Sequence, residues 1–305
     1  MRRVIITGDD FGLALPVNEA VTEAHSRGIL TTASLMVGAP AAADAIRRAQ
    51  TLPALRVGLH LVLVEGRPVL PVNQVSDLVD SNGEFPTQLV RAGFRYFFRK
   101  AARHQLEAEI RAQFEAFRRT GLPLDHVNAH NHMHIHPGIL DLVLKAGRDY
   151  GMRALRVPFE PPILCWRATR DGLAGKLAAA AFLAPWLSLM KARIRRAGMH
   201  ANDYVFGMTH SGGMTRKRVL AFLKRLPEGV TEMYFHPAIR TCAEILRHMP
   251  DYRHEEEFAA LIDPEVIGAF TDAGIERISY SDLPAGKGAP GAAFRSEGNP
   301  GLPGS

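Results

Sequence analysis

Short apolar, β-branched segments recur along this chain with helical patterns between them, and that alternation most restricts the folds open to it. The segments are "VIITG" (4–8), "TTASLMVG" (31–38), "VGLHLVL" (57–63), "LDHVNAHNH" (124–132), "ALRVPF" (154–159), "DYVFGM" (203–208), "EMYFHP" (232–237) and "RISYSD" (277–282), about eight strands. Between them, "PVNEAVTEAHSRG" (16–28), "HQLEAEIRAQFEAFRRTG" (104–121), "PGILDLVLKAGRDYG" (137–151) and "EEEFAALIDPEVIGAFTDAG" (255–274) repeat apolar residues every three or four positions and close on glycine. Those are helices with C-terminal stops. The alternation implies right-handed βαβ units and a parallel sheet, doubly wound or closed. A TIM-like α/β barrel with some distortion and an extra helical insert is expected. In either form reactive groups collect at the C-terminal ends of strands. There Asp9 and Asp10 follow "VIIT", His60 sits in "GLHL", histidines end "LDHVNAH", Arg156 lies in "ALRVPF" and His236 closes "EMYF".

With 305 residues, 47% of them hydrophobic, the chain can bury the core of one large α/β domain. One barrel domain over 1–283 is expected, and the Gly/Pro-rich 284–305 reads as a disordered tail. Lys and Arg exceed Asp and Glu by 37 to 31, a net charge of +6, which favours acidic or membrane-surface partners. No GxGxxG or Walker-type loop is present, and nucleic acid is not an expected partner. Cys165 and Cys242 form neither a paired metal motif nor a disulfide framework, which points to the reducing cytoplasm. "MRRVIITGDDFG" meets charge too early for a secretory signal. The run 177–190, "LAAAAFLAPWLSLM", is 14 residues long and contains Pro185; a spanning helix needs about 20.

Residues 126–137, "HVNAHNHMHIHP", place His126, His130, His132, His134 and His136 at even positions. On a strand such residues share a face, about 6–7 Å apart from one to the next, whereas a metal–nitrogen bond is only about 2.0–2.1 Å. One metal therefore cannot collect all five, and one or two ligands are expected, with the others orienting them or touching substrate. "GDDFG" offers two carboxylates, although Asp is also a common helix cap or turn former. His60, flanked by leucines, needs a partner once buried. A carboxylate, His60 and a member of the cluster, each from a different strand end, make a two-His, one-carboxylate set with open positions.

The motifs "DDFG" (9–12), "GLHL" (58–61), "HNHMH" (130–134) and "FHPA" (235–238), in that order, resemble the YdjC-like carbohydrate deacetylases over roughly residues 1–283. Within that family the chain is most similar to the hopanoid biosynthesis-associated branch, HpnK. The resemblance implies a barrel-like fold and metal-assisted removal of acetyl from an N-acetylglucosaminyl hopanoid glycolipid. Carried onto the matching positions, Asp10, His60 and His130 would ligate one divalent metal ion. Imidazole ligands favour zinc over magnesium. Asp9 would be the general base and His236 the donor to the leaving amine. Arg156 would hold substrate or the developing oxyanion, with His132 and His134 as further substrate contacts. Asn128, Ala129 and Asn131 depart from the family's frequent residues. A deacetylase of soluble chitooligosaccharides is the alternative in the same class. A non-catalytic metal- or glycolipid-binding protein is the alternative in another, although binding alone needs neither Asp9 nor His236.

Residues 164–199 combine Trp166, Phe182, Trp186 and several leucines with Lys191, Arg193, Arg195 and Arg196. The plain reading is a helical hairpin packed on the barrel or burying a homodimer interface. The other is a peripheral contact through 173–197 with the inner face of an anionic membrane, or shelter for a lipid tail.

Overall fold

The computed structural model describes residues 1–88, Gly93 and 100–284. Along the chain run β1 (Arg2–Phe11), α1 (Leu15–Arg27), β2 (Thr32–Leu35), α2 (Ala42–Gln50), β3 (Arg56–Leu61), α3 (Lys100–Arg119), β4 (Leu124–Ala129) and α4 (Pro137–Asp149). Then come α5 (Pro162–Thr169), α6 (Leu173–Arg196), β5 (Tyr204–Phe206), α7 (Arg216–Leu223), β6 (Gly229–Phe235), α8 (Ala243–His248), α9 (His254–Ile262), α10 (Pro264–Asp272) and β7 (Glu276–Ile278). The strands form one seven-stranded sheet in the order β4-β3-β2-β1-β6-β5, and β7 pairs with β1. Every pairing is parallel.

This sheet curls into a TIM-like barrel. The predicted strand at 154–159 is reduced to single bridges, Val127 with Leu155 and Ala154 with His200. Backbone bonds from Arg156 N to Val127 O and from Val205 N to Phe159 O carry that segment across the gap between β4 and β5. Period-two alternation then layers the interior. Ile5, Val230 and Ile278 cluster with Tyr280 at the N-terminal end. One step up, Thr7 Oγ1 donates to Glu232 (2.6 Å), and one further step brings Asp9 to Arg156 (2.6 Å). Val4 and Ile6, the alternate residues, face the helices and join the large outer core. Both faces are thus covered, which is why these strands read as nearly unbroken apolar runs.

Gly58 permits the close approach of β3 to β4, because a Cβ there would lie 2.5 Å from the His126 ring. The single helix expected over 255–274 is two. Pro264 cannot donate into a continuing helix, and Asp263 caps the second by accepting from Glu265 N and Val266 N. The reading of 284–305 as a tail falls, from residue 285 on, outside the described residues.

The insert folds as α5 and α6, a helical pair as expected. Its apolar run is longer than the sequence suggested. Pro185 lies inside α6 instead of ending it, where alanine-rich flanks, the strongest helix formers, carry the helix past it. Among the described residues α6 is the one helix long and apolar enough to cross a membrane, at 24 residues with 11% of its most apolar window buried. Its C-terminal half is tied to the barrel: Trp186 Nε1 donates to Ile135 O, Lys191 pairs with Asp203 and Arg193 with Asp141.

Candidate metal centre and active site

At the C-terminal end of the barrel, β1 carries a bulge between Gly8 and Phe11. Asp10 there has left-handed backbone, φ 61, which Asp tolerates better than most residues. The irregular backbone lets both neighbouring carboxylates turn inward, Asp9 towards Arg156 and Asn128, and Asp10 towards His60 and His130.

The histidine-rich stretch departs from its expected strand. β4 stops at Ala129, and His130–Ile135 form 3-10 turns in which Asn131 and His132 adopt left-handed backbone (φ 50 and 52). Two successive left-handed residues destroy the period of two, so the even-numbered histidines do not share a face. His126 stacks on Tyr280 inside the barrel, His130 meets Asp10, His132 approaches the Tyr234 hydroxyl and His134 bonds Arg156 O. The half-buried His136 precedes α4.

Asp10, His60 and His130 offer one ligand atom each, all within 4.8 Å of one another, and all three side chains are buried. Asp10 Oδ1 is 3.2 Å from His60 Nε2 and 3.2 Å from His130 Nδ1. Tetrahedral ligands around a metal at about 2.05 Å would be spaced about 3.3 Å apart. Asn128 fixes the tautomer of His60. Its amide nitrogen donates to Asp9 and Ser34, so its oxygen must accept, and His60 Nδ1 carries the proton of their 2.7 Å bond. His60 Nε2 is therefore the ring nitrogen left to face the Asp10 carboxylate. Neither it nor Asp10 Oδ2 has a hydrogen-bond partner. Two orphaned polar atoms on neighbouring side chains of this cluster fit a divalent cation, and the donor set suits one.

Electrostatics supports the same point. Burial alone would lower the His130 pKa, but the carboxylates of Asp10 and Glu65 outweigh it and push it up to about 10. That imidazole already sits where positive charge is favoured. Asp10, despite burial, is held well below the usual carboxylate range by His130 and His60. Glu65 lies 3.5 Å from His130 Nε2, where it would be the outer carboxylate orienting that imidazole if it held a metal.

Asp9 is also buried yet held below its ordinary range, chiefly by Arg156. It lines a cavity of about 320 Å³ with His60, His130, His132, Tyr234 and His236. Burial pushes His236 down to about 4, and its Nδ1 lies 3.9 Å from Glu257. Glu257, raised to about 7 by burial, accepts from the backbone N–H groups of Met214 and His236.

Two expected substrate contacts are not placed for that role. Arg156 is 0% exposed, and its guanidinium is taken up by both oxygens of Asp9 and both of Glu232. His134 is equally buried. A buried guanidinium must be paired, and here pairing takes up four of its five N–H groups. Sequence reasoning missed Glu65, Glu232, Tyr234 and Glu257. A glutamate between β-branched and apolar residues in "VTEMYF" was a usable sign of a paired interior charge.

Comparison with known proteins agrees with the geometry. The chain is 30% identical over 92% of its length to a carbohydrate deacetylase of Geobacillus stearothermophilus, covering 98% of that protein. It is 26% identical over 93% to one of Thermoanaerobacter pseudethanolicus, covering all of it. A crystal structure from Enterococcus faecalis V583, of a protein provisionally assigned to cellobiose-phosphate cleavage, superposes with a TM-score of 0.72 at 26% identity, covering 92% of this chain and 98% of that one. The model of the YdjC-like protein family matches residues 3–272, and the chain belongs to that family.

Proposed function

We propose that this protein is a metal-dependent carbohydrate N-deacetylase acting on an N-acetylglucosaminyl group. The observation that carries the reading is the unpartnered His60 Nε2 beside Asp10 and His130, in a cavity that Asp9 and His236 also line. The full-length relatives named carbohydrate deacetylases support the reaction class. Asp10, His60 and His130 would hold the ion, zinc ahead of magnesium because two ligands are imidazoles. When bound, such an ion polarises the acetyl carbonyl and acidifies the attacking water. Asp9 stays ionised at any working pH and is fixed by Arg156 and Asn128, so it is oriented to accept the water's proton. Arg156 tempers its basicity, and the transfer therefore depends on an acidified water. His236 is neutral at rest; the proton it delivers to the departing nitrogen is one it takes up from solvent during the cycle. Tyr234, its hydroxyl beside His132 and its ring under Arg156 at 4.7 Å, borders the sugar.

The finer reading is a hopanoid glycolipid substrate at a cytoplasmic membrane face. The HpnK resemblance supports it, as does the exposure on α6 of Phe182 (83%) and Leu189 (48%). Metal-stripped enzyme incubated with N-acetylglucosaminyl hopanoid or with diacetylchitobiose should release no acetate until zinc is restored. Release from the hopanoid alone supports the lipid reading, and release from diacetylchitobiose alone replaces it with the soluble sugar. Acetate from neither substrate, with metal bound, would sink the enzymatic reading.

A further inference from the structure

We propose a second cation site, built from Glu160, Cys165 and His210 where the insert meets the barrel, that takes zinc or a similar borderline-soft divalent ion. One oxygen, one sulfur and one nitrogen from these residues lie within 4.8 Å of one another. Glu160 stands just before α5, Cys165 lies on α5 and His210 follows β5. The thiol is 0% and the imidazole 7% exposed, and Cys165 Sγ is 3.9 Å from His210 Nδ1.

The hydrogen bonds around His210 leave its Nδ1 facing the thiol. His210 Nε2 lies 3.1 Å from Asp171 Oδ2, and Lys176 helps to hold that carboxyl ionised. Nε2 therefore carries the imidazole proton, and burial disfavours a second one, which leaves Nδ1 as a lone pair. The nearest group to it is Thr209 Oγ1 at 3.1 Å. That hydroxyl already donates to Glu160 Oε2 at 2.6 Å, so it shows Nδ1 only lone pairs. Among the hydrogen bonds of the described residues, the Cys165 thiol is the one remaining source of a proton, and Thr209 Oγ1, at 3.3 Å, competes for it. A single S–H can serve only one of the two at a time.

A cation in place of the thiol proton satisfies the sulfur, the nitrogen and the carboxylate together, and leaves a fourth position for water. Asp171 behind His210 is the outer carboxylate that a metal-ligating imidazole commonly has. A cavity of about 50 Å³ lined by Glu160, Lys176, Met208 and Thr209 lies beside the site. Binding displaces the thiol proton, which leaves to solvent. The ion would clamp the insert to the barrel.

Cobalt titration of the metal-stripped full chain tests this without reference to activity. The centre at Asp10, His60 and His130 contains no sulfur, so a near-ultraviolet sulfur-to-cobalt charge-transfer band reports the second site alone. The band should appear, persist in Cys242→Ser and in His60→Ala, and vanish in Cys165→Ser. His210→Gln should weaken cobalt binding there at least tenfold with the far-ultraviolet circular dichroism unchanged. A wild-type chain without the band overturns the proposal, as does a band that survives Cys165→Ser or disappears in Cys242→Ser.

Discussion

Arg156 shows how a single residue can be read correctly as important and wrongly as to contact. An arginine at a strand end points to substrate, yet here it is enclosed between Asp9 and Glu232. Removing one partner of a buried charge set strands the others, at a cost of about 3–5 kcal/mol. Arg156→Met should show that loss in urea unfolding, well beyond what a surface arginine would show. Protonation gives a second test. His134 is pushed down to about 3 and His236 to about 4, mainly by burial, while an unfolded histidine titrates at about 6.5. Between those values the unfolded chain binds protons that the fold refuses, so their stabilising contribution is complete above about 6.5 and is lost as pH falls towards 3. His130 works in the opposite sense in the metal-free chain, contributing below about 6.5 and fading as pH rises through about 10. Urea midpoints measured from pH 7 to pH 4 should therefore fall, and His134→Gln should flatten that slope.

Elements were legible where their period was regular. The strands from β1 to β6 and the helices α1, α3 and α4 lie near their expected places, because pattern, glycine stops and apolar faces agree. The failures have local causes. The histidine cluster has the spacing of a strand without forming one, and its two left-handed residues carry no glycine to announce them. The segment 154–159 has strand composition but makes only bridges. A carboxylate, His60 and a member of the histidine cluster are legible as a set from their places at strand ends, and the family resemblance singles out Asp10 and His130 within it. Glu65 and Glu257 are not legible: one lies in a loop and the other is one of three consecutive glutamates, of which burial selects one. The β3–β4 contact is sensitive to small changes. Gly58→Ala would set a methyl 2.5 Å from the His126 ring and 2.6 Å from its carbonyl oxygen. Overpacking of that kind costs about 1–3 kcal/mol. Because His60 lies two residues on, thermal melting and zinc affinity should fall together, and a variant with unchanged zinc affinity would show that β3 can shift freely.

At the scale of the whole molecule, charge and apolar surface meet on α6. A net charge of +6 favours anionic surfaces, but Lys191 and Arg193 are partly committed to barrel carboxylates, so the apolar face must contribute most of any membrane affinity. Phe182→Asp with Leu189→Asp should reduce co-sedimentation with anionic vesicles at least tenfold while leaving the melting temperature within a few degrees, since both positions are exposed. Equal sedimentation of the variant would remove α6 as the contact. The barrel's interior also sets a timetable for its own making. Thr7 and Glu232 are 225 residues apart in sequence yet hydrogen-bonded, and Tyr280 completes the same layer. On a ribosome adding about 5–20 residues per second, β1 emerges roughly 10–45 seconds before β6. Throughout that interval a buried-type strand bearing two adjacent carboxylates has one edge bare. Closure of the barrel is thus a late, long-range event, the kind that folds slowly.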